Sequence, residues 1–115
     1  MHEYSIVGSL MERLEAEARQ RGASSIGRIR VALGELSGVD PELLASAWEV
    51  FRERTICDGA PMEIRAVPAV WECSSCGRPI ARGETLQCPV CRSRARLASG
   101  DEIILEQIEM EVADV

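Results

Sequence analysis

Two short motifs in this 115-residue chain have the spacing of metal-ligating groups: Cys73-Ser74-Ser75-Cys76 and Cys88-Pro89-Val90-Cys91. In each, a two-residue spacer lets the chain turn so that both sulfurs reach one ion. Four thiolates suit tetrahedral Zn²⁺, which tolerates soft ligands and makes no geometric demand of its own. Gly77, after the first pair, can supply the positive φ that such a turn often needs. Arg92 holds the matching place after the second pair, a less comfortable residue there. Eleven residues separate the pairs, so the hairpin between them must be small. Four sulfurs leave no coordination position for a substrate water, so the expected zinc is structural and not hydrolytic. A segment this short cannot bury a core of its own, and metal binding must supply much of its folding energy.

Other uses of the cysteines fit less well. A disulfide framework needs an oxidising compartment and an even count, whereas this chain has five cysteines. A thioredoxin-like site would use one such pair, opening a helix after a buried strand. Cys57 stands apart from the pairs and reads as a partly buried free thiol.

The second chemical feature is His2, the only histidine. The Met1 amine, the backbone nitrogen of His2 and its imidazole can close adjacent chelate rings around one metal. Nitrogens in that arrangement suit Ni²⁺ or Cu²⁺, and binding must displace protons. A fourth donor could be the Glu3 amide, or a nearby oxygen such as the Asp40 carboxylate. Taken alone, a histidine at position two is more often a solvated residue at a chain terminus. Asp40 already has a complete explanation as the cap of a helix.

Composition bounds the rest. Hydrophobic residues make up 46% and charged residues 28%, which is ordinary for a globular chain and argues against disorder. Aromatics are only 3%, so the core must rest on Ile, Val, Leu and Ala. No apolar run is long enough to span a membrane, and Met1-His2-Glu3-Tyr4 does not open a secretion signal; a cytoplasmic protein is the expectation. The net charge of −6 argues against general nucleic-acid binding. Between Cys73 and Leu97, however, Arg78, Arg82, Arg92, Arg94 and Arg96 face only Glu84, a local +4 that leaves −10 for the remainder.

The elements that must carry these residues are legible from periodicity. Tyr4, Val7, Leu10, Met11, Leu14 and Ala18 share one face of a helix over about Ser5 to Arg21, with Gly22 as its stop. Ile26 to Leu33 reads as a half-buried strand, with Ile29, Val31 and Leu33 alternating with Arg28, Arg30 and Ala32. Asp40-Pro41 starts a second helix reaching about Arg54 and burying Leu44, Ala47, Trp48 and Phe51. Met62, Ile64 and Ala66 mark a second strand that Pro68 ends. Ile103 to Val112 is a long strand whose apolar phase slips near Glu106-Gln107, where a bulge is expected. The economical packing is α+β: two helices covering one face of a three-stranded sheet, with an inserted four-cysteine zinc-ribbon-like domain. The expected division is 1–69 with 99–115 as one domain and 70–98 as the insert.

The opening Met1-His2-Glu3-Tyr4-Ser5, the run Val31-Ala32-Leu33-Gly34-Glu35-Leu36-Ser37-Gly38-Val39, the two cysteine pairs and the terminal Ile108-Glu109 resemble the HypA/HybF hydrogenase maturation factors. The resemblance covers essentially the whole chain and keeps its order and length. It implies a nickel metallochaperone for [NiFe]-hydrogenase assembly, working with the GTPase HypB and delivering Ni²⁺ to the hydrogenase large subunit. Some relatives also serve urease maturation. By the motif, His2 would ligate nickel together with the Met1 amine and backbone nitrogens that include Glu3. Cys73, Cys76, Cys88 and Cys91 would hold structural zinc. Arg92 departs from the family, which commonly has Gly there. This puts the local turn in question more than the zinc.

No residue set for enzymatic chemistry accompanies these sites. There is no second histidine, no Ser-His-Asp set and no phosphate-binding Gly-Lys loop, so nucleotide chemistry must come from a partner. The rival class is a zinc-ribbon module for nucleic acid or protein, using the five arginines. Against nucleic acid stand the acidic remainder and the lack of aromatics beside those arginines. A dithiol oxidoreductase would instead need cysteines that cycle without metal. Glu35, exposed in its connecting loop, could serve partner contact, but a solvated loop carboxylate is the plainer reading.

Overall fold

The computed structural model describes His2–Val112, with side chains from Glu3 onward. Helix α1 spans His2–Arg21 and stops at Gly22, whose φ of 65° ends the helix in the left-handed conformation. Val7, Leu10, Met11, Leu14 and Ala18 are buried on one face, as the 3.6-residue period requires. Each such side chain contributes on the order of 1.5–3 kcal/mol when fully buried, with Ala18 below that range.

Strand β1 (Ala23–Gly34) is central in the sheet order β2-β1-β6. The Ile29 N–H donates to Pro61 O and the Glu35 N–H to Val67 O, so β1 and β2 (Met62–Val67) run parallel. The Gly34 N–H donates to Glu102 O while the Ser24 hydroxyl donates to Glu111 O, so β6 (Ile103–Val112) runs antiparallel. A parallel pair needs a crossover connection, and helix α2 (Pro41–Phe51) supplies it. Ala32 is buried together with Val31 and Leu33, so the half-buried alternation expected of this strand fails at its end. On β6, Ile103, Leu105, Ile108 and Met110 turn inward while Glu106 and Gln107 are both exposed, which is where the apolar phase slips.

Helix α2 starts where Asp40-Pro41 places it, and its end differs from expectation. The helix stops at Phe51, with Arg52 as C-cap, rather than reaching Arg54. Arg52 reaches forward to Ala60 O at 2.8 Å, and the Thr55 hydroxyl donates to Arg52 O at 2.6 Å. Arg54 then turns left-handed at φ 63°. These contacts replace the last helical turn with a compact reversal. Leu44, Ala47 and Trp48 are buried as the period predicts, with the Trp48 indole N–H on Ala60 O at 2.8 Å. Phe51 and Tyr4 are corrections: both are partly exposed, and their rings meet each other at 5.6 Å.

The second sheet is small, in the order β4-β3-β5, with β3 Val70–Cys73, β4 Pro79–Ile80 and β5 Ala95–Ser99. Both pairings are antiparallel; Trp71 stands opposite Ile80 on one side and Leu97 on the other. The chain packs as two compact units. One comprises Met1–Ala32, Val39–Arg65 and Ile104–Val115; the other comprises Leu33–Gly38 and Ala66–Ile103. No helix among the described residues is long and apolar enough to cross a membrane.

Candidate metal centre

Strand β3 ends at Cys73, and the chain turns at once. The Gly77 N–H returns to Cys73 O at 3.0 Å, and the Cys73 N–H donates to Arg78 O at 2.8 Å. The second motif repeats these bonds: the Arg92 N–H returns to Cys88 O at 3.0 Å, and the Cys88 N–H donates to Ser93 O at 2.9 Å. The Ser75 and Ser93 hydroxyls meet at 2.8 Å, and the Ser74 N–H donates to Arg94 O at 3.0 Å, which ties the two turns together. Arg92 adopts φ 63° beside the 74° of Gly77. The residue that looked uncomfortable in sequence therefore carries the strain rather than avoiding the turn.

This geometry gathers the sulfurs of Cys73, Cys76, Cys88 and Cys91 within 4.8 Å of one another. Three of the separations are 3.1 Å (Cys73–Cys91), 3.8 Å (Cys76–Cys88) and 3.9 Å (Cys76–Cys91). A tetrahedral ion with Zn–S bonds of about 2.3 Å sets its sulfurs about 3.8 Å apart, so two of the three match a zinc tetrahedron and the third lies inside it. Cys73 and Cys88 are buried, whereas Cys76 and Cys91 are exposed. The site thus has a closed floor and an open rim.

The electrostatics also call for a cation. The N–H and then the hydroxyl of Ser93 hold the Cys91 thiol down at about 6. The N–H groups of Cys91 and Val90 lower that of Cys88. Cys76 moves up to about 11: the Arg78 N–H favours its thiolate, but the Cys73 sulfur, burial and the other two sulfurs outweigh it. Thiolates packed this closely cannot all ionise together, and a divalent cation removes that conflict. The donor set therefore fits zinc, which would hold the two turns together. Among the described residues no other group of three or more His, Cys, Asp or Glu comes together in this way.

The other candidate residues are placed separately. Met1 and the side chain of His2 lie outside the described residues. His2 opens α1, and Glu3 lies buried in its first turn. Asp40 is fully used as the α2 cap, its Oδ1 accepting from the Glu42 N–H at 2.8 Å and the Leu43 N–H at 3.3 Å. Cys57 is buried within the other unit, and burial pushes its thiol up to about 11. It takes no part in the cluster.

Glu35 is where the sequence reading fell short. It is not a free loop carboxylate: it accepts the Ala69 N–H at 2.9 Å and both terminal nitrogens of Arg82. The Arg82 pairing, with the Ala69 bond adding to it, holds its carboxyl at about 2. Nothing local marks this pair, because 47 residues separate its members. Arg96 is likewise engaged, at 2.8 Å from Glu72. Two of the five arginines that would serve a nucleic-acid surface are thus occupied.

Residues 1–110 match the family model described as hydrogenase/urease nickel incorporation, metallochaperone, HypA. A hydrogenase maturation factor HypA from Shewanella baltica is 41% identical over 113 residues, covering 96% of this chain and 97% of that one. Its counterpart from Wolinella succinogenes is 40% identical over 117 residues, covering 99% and 98%. The solution structure of the Ni metallochaperone HypA from Helicobacter pylori aligns with a TM-score of 0.74 at 32% identity, covering 96% of this chain and 98% of that one. A second solution structure, of a HypA protein, gives a TM-score of 0.80 at 33% identity, covering 98% of each chain. The chain belongs to the HypA family of hydrogenase/urease nickel-incorporation metallochaperones, which are maturation factors and not enzymes.

Proposed function

We propose that this protein binds one Ni²⁺ at its N-terminus and delivers it for assembly of a [NiFe]-hydrogenase, while zinc in the four-cysteine cluster holds the two cysteine turns together. The observation that carries this reading is the family match across residues 1–110, which spans both the N-terminal triplet and the two cysteine pairs. Nickel is cargo. It would be held by the Met1 amine, the backbone nitrogen and imidazole of His2, and the Glu3 amide, which suit a planar nitrogen set. Amides in the first turn of a helix lack acceptors within that helix, and His2 and Glu3 stand there in α1. Deprotonating them costs no internal helical bond. An incompletely enclosed site of this kind releases metal readily, and protons compete with nickel for it as pH falls.

In this reading 1–69 with 99–115 form the nickel-binding domain and 70–98 the zinc-binding insert. The partners are the GTPase HypB and the hydrogenase large subunit, with urease maturation proteins as further recipients, and the work is done in the cytoplasm. The test is a Ni²⁺ titration of untagged protein with its native N-terminus, beside His2→Ala, after bound zinc has been counted. The expected result is one nickel per native chain, and affinity lower by about tenfold or more in the variant with its zinc retained. Equal nickel binding by both proteins overturns the N-terminal site.

A further inference from the structure

Within the cluster-bearing unit lies a cavity of about 260 Å³, which no metal reading uses. Its lining includes Trp71 and Ile80, which stand opposite each other on β3 and β4 and so share one face of the small sheet. Leu36 and Leu86 also line it, and both are about half exposed, at 49% and 53%. Leu36 is held in place by its own N–H on Gly100 O at 2.7 Å and by its neighbour Glu35, which is tied to Ala69 and Arg82. Leu36 and Leu86 therefore join Trp71 and Ile80 around one opening, and it is such a contiguous apolar surface, not a lone exposed leucine, that marks an interaction site.

We infer that this cavity is a docking socket for a protein partner that inserts one bulky apolar side chain followed closely by a lysine or arginine. Volume and charge argue for that occupant. The cavity is smaller than the roughly 300–1,000 Å³ of small-molecule sites, and it suits a side chain better than a cofactor. On its lip Glu35 is neutralised by Arg82, but Glu84 is exposed and has no ion-pair partner among the described residues. The lip therefore keeps a negative charge, which complements a cation beside the inserted residue. The inference rests on the proposed delivery role for the identity of the partner, and on the cavity alone for the surface.

The experiment uses the full, zinc-loaded chain with the purified GTPase partner and, separately, the hydrogenase large subunit as probes. Binding is measured for the native protein and for Leu36→Asp, Leu86→Asp, Glu84→Arg and the control Leu43→Asp, an exposed site on α2. Zinc content and circular dichroism establish that each variant is folded. Either cavity variant should weaken one of the two partners by about tenfold or more, Glu84→Arg should weaken it less, and the control should bind normally. The Trp71 indole resonance should shift on binding while that of Trp48, bonded to Ala60 O, stays put. Unchanged affinity in both cavity variants, or a silent Trp71 in a formed complex, overturns the socket. So does failure of both probes to bind the native chain. The nickel titration of the same proteins is read independently, so loss of the socket and loss of the N-terminal site are distinguishable.

Discussion

Gly77 and Arg92 occupy the same position in successive cysteine turns, and each N–H donates 3.0 Å to the carbonyl of its turn's first cysteine. Both backbones are left-handed, which costs a residue with a side chain about 1–2 kcal/mol and glycine almost nothing. A Cβ at Gly77 would meet nothing within 4 Å, so the strain there is purely one of backbone. Arg92→Gly is expected to stabilise the metal-loaded protein by up to about 1 kcal/mol, and Gly77→Ala to destabilise it by about 1. Chemical denaturation reads both, and identical midpoints for the three proteins would refute the strain.

Two other glycines are fixed by contact. A Cβ on Gly34 would lie 2.4 Å from the backbone of Gly100, and one on Gly100 would lie 2.6 Å from Ala69 Cα and 2.7 Å from Pro68 O. These obstacles are main chain and cannot swing aside. Gly34→Ala and Gly100→Ala should each cost about 3 kcal/mol or more, the second with φ 106° adding to the clash. Gly38→Ala, with open space around it, should cost about 1 kcal/mol. Thermal melts that rank Gly38→Ala as the worst of the three would contradict the close crossing.

Glu35 predicts a specific acid dependence. Its carboxyl is held at about 2 in the folded protein against an ordinary 4.5, so its contribution is present above about pH 4.5 and lost as pH falls toward 2. Glu35→Gln removes that contribution, and the gap between variant and native stability should narrow as pH drops through this window. Denaturation midpoints at pH 7 and pH 3, compared as a difference between the two proteins, provide the check. A gap of constant size would place the stabilisation elsewhere.

The fifth cysteine should be chemically silent. Cys57 is buried with its thiol raised to about 11, so little reactive thiolate exists at neutral pH. Chelation of bound metal should release four thiols to a disulfide reagent, and only denaturation should release the fifth. Cys57→Ala should keep its metal, whereas Cys73→Ser should lose most of it. A fifth thiol reacting as fast as the others would show that this part of the core opens.

Local chemistry made much of the site legible. Spacing alone marks the four cysteines, because a two-residue spacer defines a turn wherever it sits. Asp40-Pro41 names the start of α2 for a similarly local reason, a side-chain oxygen beside two unpaired amides. The exposed pair Glu106-Gln107 could be read from a broken alternation. The fates of Tyr4 and Phe51 could not, because periodicity assigns a face without saying whether the neighbouring element extends far enough to cover it.

By itself the sequence determined the two helices and the strands β1, β2 and β6, the helix cap and the identity of the clustered thiols, all set by contacts within a few residues; the short strands β3, β4 and β5 carried no such signal. Tertiary structure alone decided that β1 lies between a parallel and an antiparallel neighbour. It also brought Glu35 onto Arg82 and backed Gly34 against Gly100. These depend on closing loops of tens of residues, and that closure is governed by the packing of the whole chain. No short window of sequence contains that information.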